Sequence, residues 1–305
     1  AGTVFTKVDA ETYETVVVQN NALVQQWVTP LGDNPQYHLI VRNEGMAYPE
    51  QGVELISLDV QDGGIISHDP NATALDFSVL NEASIQTNGR IDLDGRGHLH
   101  EAGEGAGSYE FTYPSGGGHG GRGSNGDAPG AELTYGSIHE PVDFGSGGGD
   151  AYYRDGSPGG GAVKIEVGGT LSVEGQISAD GADSTRGSNT YGGGGAGGSI
   201  WLICSTLTGG GAIGANGGDS LNDGNPGGAG GGGRVALYAG TDSFAGEVTA
   251  YGGEGKQGAG AGTIYTKLDA DSNGTVTVNN NGLDQQWVTP LGDTPLYHLE
   301  VANAG

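Results

Sequence analysis

The chain has 305 residues, 65 of them glycine, and carries 37 acidic against 11 basic side chains for a net charge of -26. A surface this negative repels nucleic acid and anionic membrane and attracts cations, and no apolar run approaches the length that spans a bilayer. Glycine has no three-residue period, which excludes collagen, and the single cysteine, Cys204, excludes an internal disulfide.

Residues 1–45 form a unit that returns at 261–305. "QQWVTPLGD" at Gln25–Asp33 recurs at Gln285–Asp293, "AGTVFTKVDA" at Ala1 becomes "AGTIYTKLDA" at Ala261, and "YHLIV" at Tyr37 becomes "YHLEV" at Tyr297. Most positions are identical, so the chain reads as one 260-residue repeat plus the opening of the next. Both end segments are expected to be junction elements. On this reading the ends are cuts inside something longer, and the absence of a visible signal peptide carries little weight. The recurring Trp27, Tyr37, Trp287 and Tyr297 are candidate ligand-binding residues, since aromatic rings beside glutamine can grip a ligand. A corner that packs its tryptophan against the next layer explains the recurrence as well.

Residues 46–101 and 161–260 read as strands. In "GAVKIEVGGTLSVEGQISADG" from Gly161, Val163, Ile165 and Val167 share one face, followed by Leu171 and Val173, then Ile177 and Ala179. The frame returns from Gly198 with Ile200, Leu202 and Cys204, from Gly233 with Val235, Leu237 and Ala239, and earlier from Leu75 with Phe77 and Val79. Cys204 therefore falls on an inward face and reads as a structural thiol. Three short strands per turn, none able to bury its aliphatic face alone, predict an all-β fold: a right-handed parallel β-helix, a solenoid of stacked coils. The glycine runs at 192–198, 227–233 and 253–262 fall between coils. They are expected as loops stacked along one side, ordered by backbone hydrogen bonds and Cα–H···O contacts; the opposing expectation is loose surface loops, because glycine loses the most entropy on ordering. Residues 102–160 form a separate glycine- and aromatic-rich insert, whose rings either anchor it or offer platforms for sugars.

Chemistry is sparse. "DADSNG" places Asp269, Asp271 and Asn273 at alternate positions before Gly274, the opening of a calcium loop, so Ca2+ is the candidate cofactor there. Position twelve holds Asn280 in place of the bidentate glutamate, and a solvated turn is the competing reading. Arg90, Asp92, Asp94 and Arg96 could form a carboxylate pair with flanking cations, or only a charged outer face. No G-x-S-x-G, H-E-x-x-H, G-K-[ST] or C-x-x-C occurs, so no enzyme is expected.

The stretches "GGGGAGGSIWL…GGGAIGANGG", "GGGGRVALYAG…VTAYGG" and "GAGTIYTK" resemble the glycine-rich β-helical tandem repeats of very large secreted or surface proteins of environmental bacteria. The resemblance spans roughly 75–305. It implies an extracellular or cell-surface place, a tandemly repeated structural or adhesive role, and no catalytic residues; separately, the strand edges at both ends of a β-helix need covering, so adjacent repeats of the same kind are the expected partner. The alternatives are a polysaccharide-binding or polysaccharide-cleaving protein and an ice- or mineral-binding surface.

Overall fold

The computed structural model describes residues 2–6, 13–21, 29–31, 36–69, 73–126, 133–152, 154–184, 191–220, 227–283, 289–292 and 296–303. Strands dominate, and no helix occurs among these residues. The first unit supplies β1 (Gly2–Thr6), β2 (Glu14–Gln19), β3 (Thr29–Leu31) and β4 (Tyr37–Arg42). There follow β5 (Met46–Pro49), β6 (Val53–Leu55), β7 (Ser57–Val60), β8 (Ile65–Ile66), β9 (Leu75–Val79), β10 (Ala83–Ile85) and β11 (Arg90–Asp92). Beyond the insert lie β12 (Ala162–Val173), β13 (Gln176–Ser178), β14 (Ser199–Gly209), β15 (Ala212–Gly214), β16 (Arg234–Phe244) and β17 (Glu247–Thr249). The second copy of the first unit supplies β18 (Thr263–Leu268), β19 (Gly274–Asn279) and β20 (Tyr297–Ala302).

These strands form two sheets. The larger has 13 strands and follows β1-β2-β4-β7-β10-β12-β14-β16-β18-β19-β20, with β9 beside β12 and β6 beside β9; the smaller has seven, β17-β15-β13-β11-β8-β5-β3. Most neighbours are parallel, but β1/β2 and β18/β19 are antiparallel. The expected right-handed parallel β-helix with three strands per coil is overturned by this arrangement. The described residues form two mostly parallel sheets, the larger of mixed direction, and no closed three-sided coil.

The reason lies at Gly168 and Gly169. A three-sided coil needs them to turn the chain between two short strands. Instead β12 runs through them with only a register shift between Val167 and Thr170 against β14, as an irregularity within a continuous strand does. Its first half pairs with β9 and its second half with β10. The first two short strands of each frame therefore share one sheet, and only the third crosses to the other.

Inward side chains line up across the parallel register. Phe77, Ile165, Leu202 and Leu237 are successive partners in the larger sheet. Ile66, Ile91, Ile177, Ile213 and Val248 are successive partners in the smaller. With Leu39, Val60, Ile85 and Val173 they form one core between the sheets, nearly all of it sealed from water. Burial of each such side chain stabilises the fold by about 1.5–3 kcal/mol before entropy is counted.

The glycine-rich stretches are buried and hydrogen-bonded to one another. Gly117 donates to Gly194, Gly194 to Gly228, Gly197 to Gly231 and Gly231 back to Gly117, all at 2.9–3.0 Å. The insert is woven into this lattice: Gly121 donates to Gly232 and Gly232 to Gly260, and the Ser124 hydroxyl accepts from Ala229 N–H at 2.8 Å. No side chain fits between such neighbours. A Cβ on Gly230 would overlap the carbonyl oxygen of Gly195, and one on Gly198 that of Gly161. On this basis Gly230→Ala and Gly198→Ala each lower stability by about 1–3 kcal/mol, since rigid backbone must move. Exposed Gly210, whose nearest neighbour is the Glu174 carboxylate at 3.6 Å, tolerates alanine within about 0.5 kcal/mol. Urea unfolding of the three variants checks the ranking.

Candidate functional site

The repeated sequence builds the same object twice. Val4 faces Val17 in β1/β2, and Ile264 faces Thr277 in β18/β19, each 260 residues further on. Val16 faces Leu39 in β2/β4, and Val276 faces Leu299 in β19/β20. The copies differ in what lies beyond them. β4 is covered by β7, with His38 facing Ser57, whereas β20 is the last strand of its sheet. Leu39 and Val41 are accordingly 0% exposed, while their counterparts Leu299 and Val301 are 51% and 59% exposed. At the other end the imbalance reverses: Ile264 is buried beneath β16, and Val4 is 45% exposed.

Of the predicted ligand-binding residues, Trp27 and Trp287 lie outside the described residues. Tyr37 is buried in the core at the start of β4, not on a surface. Tyr297 is half-buried at the start of β20, its ring 6.1 Å from that of His139. Asp269 and Asp271 stand exposed on the turn between β18 and β19, with Asn273 half-buried beside them. Gly274 is accounted for without a cation: a Cβ there would overlap the ring of Tyr265. Cys204 is buried, its thiol 3.8 Å from the Tyr238 carbonyl, and burial pushes its pKa up to about 12, with Asp242 adding to the effect. A thiol so held is a packing group.

A ladder of short polar side chains runs beside the smaller sheet. The Asp94 carboxylate accepts Asp180 N–H at 2.8 Å, Asp180 accepts Asn216 N–H at 2.6 Å, and the Asn216 carbonyl accepts Tyr251 N–H at 2.8 Å. A second file runs parallel, with Asp183 accepting from Asp219 N–H and Asp219 from Glu254 N–H. The Asp92–Asp94 reading thus resolves differently: Asp92 pairs with Arg90 at 3.2 Å, and Asp94 caps the next layer. Burial, reinforced by the Asp94 charge, raises the Asp180 pKa to about 6.

One further cluster gathers groups far apart in sequence. His100 Nδ1 lies 2.8 Å from Asp150 Oδ1, and an oxygen of Asp155 completes a trio whose candidate ligand atoms all fall within 4.8 Å. Gly156 N–H fixes the Asp150 oxygen at 2.7 Å, and Glu101 N–H bonds Gly148 at 2.9 Å, so both flanks are tied to the glycine lattice. Beside it opens a groove of about 260 Å³ lined by Arg154, Asp155, Gly156, Ser157, Pro158, Ala182 and Asp183. Sequence reading missed this trio because no local spacing joins His100 to residues some fifty positions away; the only available signal was the two aspartates flanking Tyr152–Arg154.

No family model, no curated protein and no solved structure matches this chain. The reading of the site rests on its own geometry.

The Asp180 shift fixes a pH dependence. Its folded pKa lies above the carboxylate value of 3.8, so between about pH 4 and 6 the folded state holds the proton more tightly, and stability from this group is lost as pH rises through that window. Asn216 shows that an amide fills the same ladder position. Asp180→Asn therefore leaves the ladder intact and makes the protein more stable than the parent above pH 6, with the advantage shrinking towards pH 4. Thermal melts of both proteins across pH 4–7 check the sign.

Proposed function

We propose that the chain is a structural repeat unit of a giant extracellular fibre or bacterial surface adhesin, a stiff spacer that stacks on its own kind. What carries this reading is the duplicated end unit at identical register, each copy leaving open the edge that the other has covered. The edge of β20 matches the edge of β4, so its complement is a segment with the sequence of residues 46–60, which supplies β7 in the first copy. The edge of β1 matches that of β18, so its complement is a strand like β16. Joined in this way, successive units extend one sheet. Eight strand steps separate β2 from β19, so each period advances about 38 Å at about 4.8 Å per strand. The resemblance of the glycine-rich stretches to tandem repeats of bacterial surface proteins supports the extracellular location. In this reading the chain is not an enzyme, and its partner is its own kind.

A polysaccharide-binding role is favoured by one observation. Phe111 and Tyr152 are 56% and 52% exposed, with their rings stacked 4.7 Å apart, a platform of the kind sugars stack on.

The spacer reading is tested with a chain in which residues 46–305 follow Gly305 a second time. Leu299 and Val301 amides in this longer chain are expected to exchange with deuterium at least about a hundredfold more slowly than in the present one, and small-angle scattering to show a rod longer by about 38 Å. Unchanged exchange at β20, with two blocks tumbling independently, overturns it. Saturation-transfer signals from acidic or neutral oligosaccharides that vanish in Tyr152→Ala would instead promote the sugar-binding reading.

A further inference from the structure

His100, Asp150 and Asp155 bring one imidazole nitrogen and two carboxylates to one place. His100 Nδ1 is sealed from solvent. It lies 2.8 Å from Asp150 Oδ1; a tetrahedral ion with donors at about 2.1 Å sets adjacent donors roughly 3.4 Å apart, so a small side-chain rotation opens the position for an ion. A cation shared by the three groups takes the imidazole nitrogen as a ligand and neutralises the facing carboxylates. Asp150 is already oriented by Gly156 N–H. Asp155 is exposed, so rotation of its side chain closes the remaining distance.

We propose that these three residues bind a divalent transition-metal ion, zinc foremost, as a clip between the turn at His100 and the Asp150–Gly156 loop of the glycine-rich insert. The donor set decides the class of ion. Imidazole nitrogen suits zinc and its neighbours, whereas calcium takes oxygen ligands in larger number. Three protein ligands leave one or more coordination positions open towards the groove that Asp155 and Asp183 line. This site is independent of the spacer reading, because its ligands all lie within one chain.

The test is calorimetric titration of the chelator-treated chain with zinc chloride, beside His100→Ala and Asp155→Ala. The parent is expected to take up one equivalent, with affinity falling at least tenfold in each variant and with zinc raising the melting temperature of the parent alone. Asp155 is an exposed loop residue, so its variant remains informative if loss of His100 impairs folding. No uptake at millimolar zinc, uptake undiminished in both variants, or displacement of zinc by equimolar calcium each overturns the proposal.

Discussion

The structure depends on backbone passing against backbone with nothing between. In the glycine lattice a carbonyl of one segment occupies the space where a neighbour's Cβ would stand, as Ala229 does for Gly116 and Gly233 for Gly262. Each glycine brings a conformational cost of roughly 0.5–1 kcal/mol relative to alanine. What offsets it is hydrogen bonding at almost every buried peptide group, which a layer shielded from water requires. The bonds join segments distant in sequence, so no run is stable without its neighbours. This makes the insert integral. Gly231 N–H ends on Gly117, and Gly260 N–H on Arg122; without residues 102–160 those donors lose their partners.

The two sheets give the lattice its frame. Parallel register sets Ile177 over Ile213 and Ile165 over Leu202, and the same spacing carries the polar ladder from Asp180 through Asn216 to Tyr251. Apolar column and polar ladder are one periodicity read on two sides of the chain. His119 shows how closed the glycine lattice is: it is fully buried, accepts no solvent, and burial beside Arg234 lowers its pKa to about 3, so its ring stays neutral while Nδ1 donates to the Gly197 carbonyl at 2.8 Å.

Period-two alternation made the inward residues legible, because Val163, Ile165 and Val167 could face a core only together, and all three are buried. The 260-residue recurrence was legible as well, and it reappears as identical strand registers. The number of sheets was not. Whether Gly168–Gly169 turns a corner or passes as an irregularity depends on β9 and β10 lying in line to receive both halves of β12, which is a fact about neighbours and not about two glycines. The antiparallel ends were hidden for a similar reason: strand direction after β18 is set by how the turn at 269–273 closes, and alternation is blind to direction. The His100 cluster was hidden by distance along the chain, since metal ligands brought together by a lattice leave no local motif.

An exposed sheet edge invites indiscriminate pairing, and β20 presents Leu299 and Val301 beside just such an edge. Charge decides which pairing is favoured. At -26 per chain, two separate copies approaching end to end repel each other before their edges meet. In the proposed array a following unit meets the same repulsion, but its connection holds it at high effective concentration, which offsets that barrier. The acidic surface therefore discriminates between the two ways of covering the edge. On the proposed reading, it disfavours pairing between separate chains more than head-to-tail continuation within one chain, where the connection offsets the same repulsion.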